Sequence, residues 1–125
     1  MGPLAVAVAV VLGSQFASGA DAQTVAQCTA PQDQATMNAC AAQAYAQADA
    51  ELNTAWKSAS TFAKAIGQDN ALLEAQRAWL RYRDLACTVQ ASPFEGGTLQ
   101  PFVKLECLRE VTAARTRMLL DFNAY

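Results

Sequence analysis

Between Ala75 and Cys87 the chain reads Ala-Gln-Arg-Ala-Trp-Leu-Arg-Tyr-Arg-Asp-Leu-Ala-Cys, two aromatics, three arginines, an aspartate, an amide and a cysteine among good helix formers. On a helix, Leu72, Gln76, Trp79, Arg83 and Cys87 recur at three- and four-residue steps and share one face. A stripe that mixes Gln and Arg with Trp and Cys is not a plain hydrophobic seam. It demands polar partners from other segments, and so it restricts the fold more than any other part of the sequence.

The compartment decides how the cysteines are read. Leu4 to Leu12 is an unbroken run of Leu, Ala and Val, and Ala20-Asp21-Ala22 ahead of Gln23 has the small-x-small form of a leader-cleavage site. The run falls short of the roughly 20 residues that a bilayer span needs. Its flank lacks the usual basic residue, since the first basic side chain is Lys57; a mis-assigned start codon, with a basic stretch lost upstream, would explain that. Cys28 is preceded by Val25-Ala26-Gln27, and Gln27 is wrong for a lipoprotein signal. The expectation is an exported periplasmic or secreted protein without a membrane anchor, with residues 1–22 as leader and 23–125 as one domain. A chain of this size buries a little over ~60% of its unfolded surface, enough for a modest core.

Cys28, Cys40, Cys87 and Cys107 all survive cleavage, and an even count in an oxidising compartment reads as two disulfides. Three connectivities exist. Position favours Cys28–Cys40, flanking the start of one helix, and Cys87–Cys107, flanking the connection between two others. A metal or haem site is disfavoured, because the chain has no histidine and no Cys-x-x-Cys pair. No cofactor is expected.

Helical periodicity runs through the rest, and strand alternation is absent. Thr29, Pro31 and Gln32 resemble a capping box. Met37, Ala41, Ala44, Ala48, Leu52, Ala55, Ala59, Phe62 and Ile66 then follow at helical steps. Gly67 is a stop, and Asp69 or Asn70 is placed to cap a second helix running to about Gln90. Ser92-Pro93 and Gly96-Gly97 mark the one substantial loop, and a third helix starts near Pro101, with Leu105, Leu108, Thr112, Arg115, Leu119 and Phe122 on one face. At about 34 residues the first helix is roughly 50 Å long. The fold expected is all-α: a long antiparallel helical hairpin with a third helix laid across it, stapled by two disulfides.

Counting back from a turn at Gly67 sets Asp49 opposite Arg83 and Asn53 opposite Trp79. A Cys87–Cys107 bridge brings Arg115 beside Trp79. The expected interior is a polar cluster of Asp49, Asn53, Gln76, Arg83 and Arg115 around Trp79, with an Asp49–Arg83 pair and Arg115 on the indole. A carboxylate paired with arginine is a poor general base, and no second carboxylate stands beside it. The cluster reads as structural, and the chain as a non-enzyme. Glu106 and Glu110, one helical turn apart, fit a solvated face with Lys104 and Arg109 better than a hydrolase pair.

Cys40 with Ala48-Asp49-Ala50-Glu51-Leu52-Asn53, then the Ala75–Cys87 segment, Gly96-Gly97, Cys107 and Thr112-Ala113-Ala114-Arg115-Thr116 resemble, in that order, the LprI-like family of exported bacterial proteins. The resemblance spans about residues 28–120. It implies a small disulfide-bonded helical domain and, from the family's namesake activity, inhibition of lysozyme. Trp56 stands where the family more often has Tyr, and the missing lipoprotein signal means that surface retention does not carry over.

Animal-type lysozymes are basic and cleave between two carboxylates, so an inhibitor should present acidic surface or an inserted loop. The chain's net charge is −2, too small for strong steering. Asp33, Asp49 and Glu51 are nevertheless the only charges in 23–56. The loop Ser92–Thr98 offers Phe94, Glu95, Gly96 and Gly97 as a partner-binding tip. The alternative is an envelope interaction module that binds a partner without inhibiting anything; an exposed apolar patch would favour it, and Tyr45, Phe62, Phe94 and Phe102 are the aromatics that the periodicity does not clearly turn inward. Nucleic-acid binding is disfavoured by the charge balance and by export.

Overall fold

The computed structural model describes residues 28–30 and 33–124; the leader read from residues 1–22 lies outside them. Three α-helices follow one another: α1, Gln34–Ala65; α2, Asp69–Ala91; and α3, Gln100–Phe122. A 3₁₀ turn, Ser92–Phe94, continues α2, and there is no strand among the described residues. Both expected disulfides are formed, Cys28–Cys40 and Cys87–Cys107, with Cα separations of 5.4 and 5.5 Å.

The helix ends show which local signals act. α1 is capped by Asp33, whose Oδ1 accepts the Thr36 backbone N–H at 2.7 Å and whose Oδ2 accepts the Thr36 hydroxyl at 3.0 Å. These bonds hold the Asp33 carboxyl below its usual pKa. The cap therefore falls after the predicted Thr29 box, of which Pro31 and Gln32 lie outside the described residues. At the other end Gly67 takes φ +73°, Gln68 N–H reaches Ala63 C=O at 2.7 Å, and Gly67 N–H reaches Lys64 C=O at 3.2 Å. This double bond pattern closes a helix only with a left-handed residue, which Gly67 supplies at least cost. Asp69 does not cap α2; it sits in the first turn, where its charge faces the positive end of the helix.

The helices run up, down and up, so α1 and α3 are parallel. Asn38 bonds Thr98, Asn123 bonds Ser58, and Phe62 meets the Phe122 ring edge-on at 5.1 Å. The largest helix–helix interface is α1 with α3, then α2 with α3, and the smallest is α1 with α2. The first two helices thus form a hairpin by connection, while α3 lies along both rather than across them. Small residues on α1 explain the order. Ala41, Ala48, Ala55, Ala59 and Ala63 are all buried, and their short side chains let α3 approach closely along the whole helix.

The core has two parts. Leu52, Ala55, Ala59 and Leu119 pack with Trp56, Leu72, Trp79 and Phe122. Nearer the disulfides, Cys87, Cys107 and Leu108 pack with Tyr45 and Val111. Thr112 is fully buried and its hydroxyl has no hydrogen-bond partner. Desolvating a hydroxyl without compensation is unfavourable. Thr112→Val, close in shape, should therefore leave the thermal midpoint unchanged or raise it, by up to about 1 kcal/mol of stability in a denaturant titration.

Candidate functional site

The N-terminus of α1, the C-terminus of α2 and the N-terminus of α3 meet at one end of the bundle, and both disulfides lie there. Between α2 and α3, residues 92–99 form a loop bounded by the Cys87–Cys107 bridge. Pro93 is the second residue of the 3₁₀ turn, and the Ser92 hydroxyl donates to Val89 C=O at 2.6 Å. Glu95 N–H donates to Ser92 C=O at 3.2 Å, and Gly97 N–H to Phe94 C=O at 3.0 Å. Gly96 has φ +82°, a conformation that reverses the chain here and that side chains rarely adopt. From the neighbouring helix the Asn38 amide donates to Thr98 C=O at 2.9 Å. The loop is thus braced from within and tied to α1.

Phe94 stays 38% exposed and Glu95 is exposed. An aromatic ring and a carboxylate therefore sit side by side on a braced support. Asn38, which ties the loop down, was not singled out by sequence reasoning. Its only sequence signal is its place two residues before Cys40.

The polar interior forms around Trp79, with partners partly different from those expected. Arg115 Nε donates to Gln76 Oε1 at 2.8 Å, joining α3 to α2; burial lowers the Arg115 pKa. The guanidinium over the indole is that of Arg83, at 5.3 Å from the ring centroid, not that of Arg115. Arg83 also lies 5.7 Å from the Tyr45 ring, and its ion pair is with the adjacent Asp84, at 3.0 Å. Asp49 makes no ion pair with Arg83, and Asn53 is exposed. The reason is register. Tyr45, one turn before Asp49, faces Arg83, because α1 leans on α3 and not squarely on α2.

Tyr45, which the sequence does not clearly turn inward, is half-buried against the second core group. Burial raises its pKa above 10.0, with smaller contributions from Arg83, which lowers it, and from Asp49 and Asp84, which raise it. The folded state therefore keeps a proton that the unfolded chain gives up. Stability should be intact below pH ~10 and fall as pH rises through the folded pKa. Tyr45→Phe should flatten that alkaline decline in a denaturant series.

Arg109 lies 3.1 Å from Glu106 and 3.6 Å from Glu110, an ion-pair triad on α3 rather than two opposed carboxylates. Among the described residues no three His, Cys, Asp or Glu side chains are gathered to hold a metal.

The two bridges differ in access. Cys87 and Cys107 are 0% and 3% exposed, while Cys28 and Cys40 are only half-buried. Thiolate attack requires access to sulfur. Limited reduction followed by alkylation should therefore label Cys28 and Cys40 first, as read by peptide mass mapping.

Comparison with known proteins fits this arrangement. The family model described as "Lysozyme inhibitor LprI" matches residues 25–119, including all four cysteines, the interior cluster and the loop. An uncharacterized protein of Rhizobium meliloti (strain 1021) is 33% identical over 106 residues, covering 75% of this chain and 76% of that protein. No solved structure matches.

Proposed function

Since this chain belongs to the LprI lysozyme-inhibitor family, we propose that it is an exported inhibitor that blocks a lysozyme by binding it through the 92–99 loop. The family is one of inhibitors, not of enzymes. Export is supported by the apolar Leu4–Leu12 run and by two disulfides, which persist in oxidising compartments. No described helix is long and apolar enough to cross a membrane.

The observation that carries the loop assignment is the braced pair Phe94 and Glu95. A lysozyme cleft binds sugar rings between two carboxylates. An aromatic ring can occupy a sugar position, and an adjacent carboxylate suits the basic rim of such an enzyme. Because the loop is held by its own hydrogen bonds, by Asn38 and by a disulfide, little ordering entropy is lost on binding.

Calorimetric titration of the oxidised protein into a c-type lysozyme tests this. The expected result is one-to-one binding, weakened at least roughly tenfold, about 1.4 kcal/mol, by Phe94→Ala or Glu95→Ala. Both residues are exposed, so circular dichroism should not change. Binding that ignores both substitutions would move the site off the loop. No binding would favour an envelope interaction module, a reading supported by the exposed apolar residues of α2.

A further inference from the structure

The half-buried Cys28–Cys40 bridge borders an open cleft of about 560 Å³, lined among the described residues by Cys28, Cys40, Gln43, Ala44, Ala46 and Gln47. The alanines leave room beside the sulfurs, and none of these side chains carries a charge that would repel an incoming thiolate. Gln43 Oε1 lies 3.6 Å from Cys28 Sγ, where it can accept the S–H that reduction creates. The Cys87–Cys107 bridge is sealed in the second core group. Exposed bridges exchange with thiols, and buried ones resist.

What the accessible bridge holds is the start of α1. No residue from Gln34 to Cys40 is fully buried, and the buried row of α1 begins at Ala41. Beyond the partial burial of side chains such as Met37, these two turns depend on the Asp33 cap, the bridge and Asn38. Gln34 Nε2 donates to Asn38 Oδ1 at 2.7 Å, which orients the amide whose Nδ2 donates to Thr98 C=O. Among the described residues that is the one hydrogen bond from α1 to the 92–99 loop. The bridge, the first turns of α1 and the loop are thus linked in series.

We propose that Cys28–Cys40 is a site of thiol–disulfide exchange, and that its opening by a dithiol reductant unbraces the 92–99 loop. One thiolate of the dithiol attacks a sulfur of the bridge, forming a mixed disulfide and releasing the other cysteine as a thiolate that takes up a proton. The second thiolate of the reductant then displaces the remaining protein sulfur, which is protonated in turn. The reductant leaves as a disulfide, and the protein has gained two electrons and two protons. Without the cross-link the first turns of α1 lose a constraint that opposes fraying, and Asn38 spends time away from Thr98. The loop must then be ordered on binding, at a cost in affinity; that this weakens lysozyme binding rests on the loop assignment above.

Hydrogen exchange read by mass spectrometry tests the coupling with no lysozyme present. The oxidised protein is compared with protein selectively reduced and alkylated at Cys28 and Cys40, and with Cys28→Ser, Cys40→Ser. In both opened forms, peptides covering 34–40 and 92–99 should exchange at least about fivefold faster, the lower end of usual coupling between sites, while the stretch around Arg83 stays unchanged. Asn38→Ala in the oxidised protein should accelerate the loop, and opening the bridge in that variant should add nothing there. Calorimetry should show binding to a c-type lysozyme weakened at least about fivefold by opening the bridge. A loop whose exchange ignores the bridge would overturn the inference. So would equal acceleration in all three helices, or a full effect of opening in the Asn38→Ala variant. An accelerated loop in a protein that binds no lysozyme in either state would support the coupling and count against the inhibitor reading alone.

Discussion

Replacing Cys87 and Cys107 together by alanine is expected to lower the unfolding midpoint by roughly 10–25 °C, given about 3 kcal/mol for a loop of this length and 4–8 °C per kcal/mol in a small domain. The bridge closes a separation of 20 residues, joining α2 to α3 across the 92–99 loop. Opening it releases that loop in the unfolded chain, which raises the entropy of the unfolded state. It also removes sulfur from the second core group, where Cys87 and Cys107 pack with Leu108. Besides the bridge, that group holds Leu108 and the partly buried Tyr45 and Val111, and the fully buried residues of α1 are mainly alanines. A total stability of about 5–15 kcal/mol makes this a large fraction. Differential scanning calorimetry of the double variant is the direct check. A shift of only a few degrees would mean that packing alone holds this end together.

Gln76→Leu should cost about 1.5–3 kcal/mol, the range for a lost hydrogen bond to a charged group in a buried setting. The reason lies in what is left behind. Arg115 Nε donates to Gln76 Oε1 at 2.8 Å, and burial already disfavours the charged guanidinium. Without the amide the charge stays desolvated and loses its acceptor. Replacing both residues, Gln76→Leu with Arg115→Met, should recover most of the loss, because apolar partners of similar size leave no polar group unsatisfied. A double-mutant cycle in denaturant should give a coupling of about 1 kcal/mol or more. Additive single effects would show that the two side chains act independently and that the pair does not fix the α2–α3 register.

Much of this arrangement is legible in the sequence, and the failures have physical causes. The stripe Leu72, Gln76, Trp79, Arg83 and Cys87 turns inward as its spacing requires, with Gln76, Arg83 and Cys87 buried. The two bridges pair as helix positions suggest. Gly67 closes α1 because no other residue type accepts its backbone angle so readily. The α1–α2 register was harder to read. Counting back from the turn assumes that the hairpin helices pack squarely on each other. The row of alanines on α1 instead draws α3 in alongside it, which shifts the facing residue by one turn, so Tyr45 meets Arg83 where Asp49 was expected. The exchange of Arg115 for Arg83 on the indole follows from the same geometry, since Gln76 holds Arg115 one turn away. Asn38 was not legible at all, because its partner is the backbone carbonyl of Thr98, which no side-chain pattern announces.

The measurement that bears most directly on the account is turbidimetric clearing of peptidoglycan by a c-type lysozyme, titrated with the oxidised protein. The account predicts inhibition that reaches its end point near one inhibitor per enzyme and that is lost when Phe94 and Glu95 are both replaced by alanine. Undiminished clearing at large molar excess of a correctly folded protein would contradict it, leaving the family's scaffold without the family's namesake activity.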